Sequence, residues 1–161
     1  EQGRVAAHHA IGKPVDWNWE TLPFGIYTIP EISMVGETEQ ALREKGVEYY
    51  TGTALWRETA RGKILGDLGG ALKILFAREN DRVLGVHLLG EGATELVHIG
   101  QAAMHFGAGP EYFVDTVFNY PTLAEAYKIA GHNAVNTRDG RSRVKNPEPL
   151  VVRVGNEAVV G

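Results

Sequence analysis

No cysteine occurs among the 161 residues. That excludes disulfide staples, a thiol nucleophile and a redox-active dithiol within the chain. It also fits a cytoplasmic protein, the compartment expected here. No apolar run approaches the roughly 18 residues of a membrane span. No basic-then-apolar signal opens the chain. Positive charge is not in excess: Lys plus Arg is 16 against 20 for Asp plus Glu, a net charge of −4. Such a chain has no general pull toward nucleic acid or anionic lipid. The rest is ordinary: 43% hydrophobic and 22% charged residues, enough for one domain with a real core. The chain opens Glu1-Gln2-Gly3 and is expected to be a piece of something longer.

The pattern along the chain predicts a hairpin-rich sheet interrupted by helices. Residues 1–13 read as a short helix stopped by Gly12 and Pro14. Residues 14–25, with Trp17, Trp19, Pro23 and Gly25, read as a connector. Ile26 to Ile29 reads as extended, punctuated by Pro30 and Gly36. Thr38 is a good N-cap for a helix that Gly46 stops. Val47 to Trp56 reads as a strand with a bulge at Gly52. Ala71 to Phe76 and Val83 to Leu89 read as a hairpin around the polar run Arg78 to Arg82. Residues 93–106 form a helix with an apolar stripe of Leu96, Ile99, Gly100, Ala103 and Met104. Phe113 to Phe118 reads as a short strand. A last helix is expected from Pro121-Thr122 through Ala130, ending near Gly131. Residues 138–149, with Arg138, Arg141, Arg143 and Lys145 among Gly and Pro, look like a linker. Val151 to Val154 and Glu157 to Val160 read as a small hairpin around Gly155-Asn156. Without regular crossover helices between the strands, the fold class is α+β: a mainly antiparallel sheet with packed helices.

Four segments are candidates for chemistry. Gly90-Glu91-Gly92-Ala93-Thr94-Glu95 follows a strand and opens a helix, the setting of a dinucleotide fingerprint. Its third position is Glu95 rather than glycine, and two acids stand where a pyrophosphate belongs. A glycine-rich strand-to-helix turn is the better reading. Glu95, His98 and His105 share one helix face, but no metal motif such as H-E-x-x-H is present. The glycine-dense run Gly62 to Gly70 has Arg57, Arg61 and Lys63 nearby, yet lacks the order of a phosphate loop and reads as a flexible connection. In Asn119-Tyr120-Pro121-Thr122-Leu123-Ala124-Glu125, Thr122 and Glu125 fit a capping box.

That last segment also carries a resemblance. The stretches YTIPEISMVGETEQAL (27–42), GGALKILF (69–76), RVLGVHLLGEGATELVHIGQAAM (82–104) and EYFVDTVFNYPTLAEAY (111–127) occur in an order and spacing that resemble one family. It is the C-terminal dimerisation domain of the flavin-dependent pyridine nucleotide–disulfide oxidoreductases. The resemblance implies a dimerisation domain over 26–135 and a connector at 14–25. Residues 1–13 become the closing helix of an upstream FAD domain, and 136–161 an extension of unassigned role. Disulfide reductases of that family carry His-Pro-x-x-x-Glu at this turn. Here Tyr120 stands in the histidine position, while Pro121 and Glu125 remain. A tyrosine titrates near pH 10 in model peptides and an imidazole near 6.5, so tyrosine suits a thiol proton shuttle poorly. The Asn-Tyr-Pro-Thr-x-Ala-Glu-Ala-Tyr form resembles the soluble NAD(P) transhydrogenase branch, which passes hydride between NADPH and NAD through FAD.

The resemblance therefore implies a homodimer in which Tyr120, Pro121 and Thr122 face the FAD of the partner subunit and Glu125 supports the turn. It assigns no catalytic residue to this chain and no cofactor held by the chain alone. The nicotinamide nucleotides would bind through upstream domains, and the helix over 93–106 is a candidate face for the two-fold contact. Two other readings stand beside it: the same domain from a disulfide reductase or dihydrolipoamide dehydrogenase relative, and a free-standing binding or scaffold module without catalysis.

Overall fold

The computed structural model describes residues 1–15 and 19–140, together with the backbone of two strands near the C-terminus. The readings that fall on Trp17, on the linker from residue 141 onward and on Gly155-Asn156 lie outside the described residues. Helix α1 (Gln2–Ala10) opens the chain, and a 3₁₀ turn follows at Trp19–Thr21. Next come β1 (Phe24–Ile26), β2 (Ile32–Gly36), α2 (Glu39–Glu44), β3 (Tyr49–Leu55) and α3 (Ala60–Leu65). The hairpin β4 (Ala71–Ala77) and β5 (Val83–Leu89) leads into α4 (Ala93–His105), α5 (Pro110–Asp115) and α6 (Glu125–Arg138). Strands β6 (Val151–Val154) and β7 (Glu157–Val160) pair with each other. No helix among the described residues is long and apolar enough to cross a membrane.

The main sheet has five strands in the order β1-β2-β5-β4-β3, all antiparallel. Alternation along each strand sends one set of side chains toward the helices. One such row runs Val35, Val86, Ile74, Gly52 across four strands. The next same-face rows add Leu88, Leu72 and Ala54 on one side, and Tyr50 and Phe76 on the other. These residues are buried and form the core. Helix α4 packs on β5 and β2, α6 on β3 and β4, and α5 on α6. An aromatic chain ties the layers together. Tyr50 stacks on Phe76 at 5.4 Å, Phe76 meets Phe113 edge-on at 6.3 Å, and Phe113 stacks on Tyr127 at 5.4 Å. On the opposite face α2 docks with buried Leu42, and Lys73 donates to Glu39 at 2.8 Å.

The α+β class and the mainly antiparallel sheet are as the pattern predicts, and several elements differ. The expected strand over 26–29 is instead two strands flanking a turn. Residues 27–29 have no strand to pair with, whereas Ile32–Gly36 lies against Leu89–Gly85 of β5. Gly52 makes no bulge, for its pairing with Ile74 is continuous. Its role is close approach: a Cβ there would sit 2.2 Å from the Ala130 carbonyl oxygen and 2.8 Å from Ala134 Cβ. The register shift lies between Leu75 and Phe76. The connection after β3 is not featureless, because Thr59 caps α3 by accepting the Gly62 amide at 3.0 Å. Residues 113–118 are not a strand. Pro110 starts a helix at its first turn, where a missing N–H costs nothing, and buries one face with Phe113. Gly131 does not stop α6; it lets Phe113 Cβ approach to 2.8 Å of where its own Cβ would be.

Candidate functional site

The segment from Thr116 to Glu125 links α5 to α6. Thr116 leaves α5 in an extended conformation, φ −70° and ψ 136°. The chain then runs out to a turn containing a cis Tyr120–Pro121 peptide. Val117 is 91% exposed and Tyr120 70% exposed. The Tyr120 hydroxyl has no hydrogen-bond partner among the described residues. The Thr122 hydroxyl donates to the Asn119 carbonyl at 2.6 Å and closes the turn. Tyr120, Pro121 and Thr122 are thus presented together at the surface.

The predicted capping box does not form. The N-cap is Ala124, and the first turn of α6 is closed by main-chain bonds from Ala126 to Leu123 and from Tyr127 to Ala124, both 3.0 Å. With those amides satisfied, neither Thr122 nor Glu125 is needed as a cap. The Glu125 carboxylate accepts the Ala60 amide at 3.2 Å instead, at the first residue of α3. A carboxylate is favoured there, because the amide end of a helix is electropositive. This bond brings α3 beside the turn, and α3 carries Ile64 and Leu65 exposed at 65% and 47%, with Leu68 beyond it at 52%.

The other candidates resolve differently. The start of α4 is not open to a phosphate. The Glu31 carboxylate accepts both the Thr94 amide at 3.0 Å and the Thr94 hydroxyl at 2.7 Å. Those two bonds hold the Glu31 carboxyl below the usual carboxylate range. Sequence reasoning missed Glu31, since its partner lies 63 residues away. Helix α4 turns Ala93, Val97, Gly100 and Ala103 onto its own sheet, with Leu96, Ile99 and Met104 at the margin. Its apolar stripe is therefore largely used within the domain, and its outward face carries Glu95, His98 and His105. His98 donates Nδ1–H to the Gln101 side-chain oxygen at 2.9 Å, and His105 meets the Phe106 ring edge-on. No group of three or more metal-ligating side chains occurs among the described residues. His87 is half-buried: burial pushes its imidazole below its ordinary value, and Nε2–H donates to the Glu37 carbonyl at 3.0 Å.

Comparison with known proteins returns to the same segment. Residues 22–130 match the family model described as the pyridine nucleotide-disulphide oxidoreductase dimerisation domain. Over 136 residues the chain is 54% identical to the soluble pyridine nucleotide transhydrogenase of Mycobacterium tuberculosis (strain ATCC 25177 / H37Ra), covering 84% of this chain and 29% of that protein. Identity to the soluble pyridine nucleotide transhydrogenase of Escherichia coli O1:K1 / APEC is 50% over 140 residues, 84% of this chain and 30% of that one. The chain thus spans under a third of these relatives. Among solved structures, LpdA from Mycobacterium tuberculosis superposes with a TM-score of 0.72 at 27% identity, covering 81% of this chain and 29% of that one. The flavoprotein disulfide reductase RclA from Escherichia coli, as its Cu(II) complex, gives 0.71 at 24% identity over 80% of this chain and 30% of that one, a likeness of fold. With the five-stranded antiparallel sheet, its helices and this match in place, the chain belongs to the pyridine nucleotide-disulphide oxidoreductase dimerisation-domain family.

Proposed function

We propose that this domain serves a soluble, cytoplasmic, homodimeric flavoprotein that moves hydride between NADPH and NAD. Each copy presents Tyr120, Pro121 and Thr122 to the FAD of the partner subunit. The observation that carries this reading is the turn itself. It exposes an aromatic ring and a proline ring, offers the Tyr120 hydroxyl no partner among the described residues, and is backed by an ordered core. Those residues fit a flavin: flat apolar side chains suit the ring faces, and a free hydroxyl suits the polar ring edge. When bound, a flavin supplies hydride acceptance from one nicotinamide nucleotide and hydride donation to another.

This chain's own residues position and enclose. Tyr120 and Pro121 cover apolar surface and exclude water from it. Thr122 keeps the turn closed through Asn119, and Glu125 anchors it to α3. Ile64, Leu65 and Leu68 extend the exposed apolar surface beside the turn and would be covered in the dimer. Tyrosine in place of a histidine shuttle favours chemistry that needs no thiol proton transfer. The close likeness to proteins named soluble pyridine nucleotide transhydrogenase supports the same choice.

The test uses the full-length subunit that carries this domain. FAD content, NADPH-to-NAD hydride transfer and reduction of lipoamide or glutathione disulfide are measured on one preparation. Stoichiometric FAD with hydride transfer and no disulfide turnover is expected. Absence of flavin, or disulfide reduction as the dominant activity, overturns the reading. The 161-residue chain alone is expected to be inactive.

A further inference from the structure

Val117 and Tyr120 are so exposed that no neighbouring side chain fixes where they point. Their direction is set by the backbone on either side. On the C-terminal side the Thr122 and Glu125 bonds hold it. On the N-terminal side the holding group is Lys128, a half-buried residue of α6. Its Nζ donates to the Val114 carbonyl at 2.8 Å and to the Thr116 carbonyl at 3.0 Å. The last carbonyls of α5 lack partners in their own helix, and a cation there also meets the negative end of that helix. One ammonium has three donors on a single point, which suits two converging carbonyls better than a planar guanidinium does. Between the two anchors, Phe118 stacks on Tyr127 at 6.4 Å.

We propose that Lys128 is the positioning residue for Tyr120: by tying the exit of α5 to the first turn of α6, it sets where the exposed ring is presented to the partner subunit. The inference rests on the reading that this turn completes a flavin pocket. Lys128 touches neither nucleotide nor flavin and acts through the backbone of 116–119.

The experiment compares wild type, Lys128→Met and Lys128→Arg in the full-length flavoprotein. Readouts are kcat and KM for both nucleotides, the flavin absorbance and fluorescence, and amide exchange of residues 116–120. For Lys128→Met, kcat should fall roughly tenfold, the scale of a small misplacement at a reacting centre, with KM unchanged. The flavin signal should shift, and exchange should quicken in 116–120 while β4 and β5 stay as in wild type. Lys128→Arg, which keeps the charge and the donors in a less suited geometry, should recover part of kcat and of the flavin signal, more than Met does. Should the Met variant not fold, Lys128→Gln, whose shorter neutral amide loses the charge and the reach, decides on the same readouts. Wild-type kcat, flavin signal and exchange in the Met or Gln variant overturn the proposal, as does a rise in KM at constant kcat. A wild-type subunit that holds no flavin overturns the underlying reading, and is told apart because no variant is needed to see it.

Discussion

The Tyr127 hydroxyl donates to the Leu96 carbonyl at 2.8 Å and accepts the Gly100 amide at 3.2 Å. In an uninterrupted α-helix those two backbone groups bond each other. A side chain of α6 thus bridges two backbone groups one turn apart on the continuous helix α4, and Tyr127 is wholly buried. Burial pushes its phenol well above the ordinary value, so it remains a neutral donor and acceptor at any working pH. Tyr127→Phe removes the bridge without changing shape. The expected cost is about 1–2 kcal/mol, the range for a buried pair left unsatisfied. Urea denaturation should show a lower midpoint at unchanged m-value; an unchanged midpoint would mean that α4 closes its own ladder.

Gly52 faces the α6 backbone across a gap with no room for a methyl group. Gly52→Ala forces α6 away from β3, and the expected loss is about 3 kcal/mol, at the upper end for overpacking. Gly46→Ala is a useful contrast, because nothing lies within 4 Å of its Cβ position. There only the left-handed backbone, φ +66°, resists the change. About 1 kcal/mol is expected at that position. Thermal melts of the two variants should separate clearly; equal losses would count against the close-approach role of Gly52.

Glu125 joins two helices that are otherwise independent of each other in sequence. Glu125→Ala leaves the Ala60 amide without its acceptor and should loosen α3. About 1 kcal/mol of stability is expected to go with that hydrogen bond. Amide exchange should quicken in residues 60–65 while α4 and α5 are unaffected. Uniform quickening across the domain would instead mark Glu125 as a general core determinant.

His87 makes the domain sensitive to mild acid. Burial lowers its folded pKa below 6.5, and the Lys73 ammonium acts in the same direction, against the Glu37 carbonyl and the Glu39 carboxylate. The unfolded chain therefore takes up this proton before the folded one does. The contribution is intact above pH 6.5 and is lost progressively as pH falls below it, down to the folded value. Glu39 titrates in a lower window. Burial raises it, but bonds from Lys73 and Tyr49 outweigh that and leave it below its usual 4.5. Denaturation midpoints at pH 7.5 and 5.5 should differ in wild type and differ less in His87→Gln. Parallel slopes for the two proteins would remove His87 from this account.

What could be read from the sequence was local. The β4–β5 hairpin, the body of α4 and the Thr38 cap each declare themselves locally, through alternation, helical period or a side chain three residues from its amide. β2 and α5 have 5 and 6 residues and no such repeat. Their existence depends on partners far along the chain, such as β5 for β2. The same holds at the candidate site. The order of Asn119 to Tyr127 was enough to mark the turn, but spacing alone misassigned Glu125, whose true partner is 65 residues away. Glu31 and Lys128 gave no signal, because a carboxylate or an ammonium says nothing of which backbone group it will meet.

β1 lies at the margin of the sheet, three residues long, with Pro23 before it and Pro30 in the turn after it. Proline has no N–H to offer a new strand. The margin therefore cannot be extended far by main-chain pairing, although Phe24, Tyr27 and Ile29 around it are exposed. Anything that covers those residues must fit their shapes rather than continue the ladder. The same punctuation guards this edge of the sheet against templated growth while a sticky surface stays open to a matched neighbour.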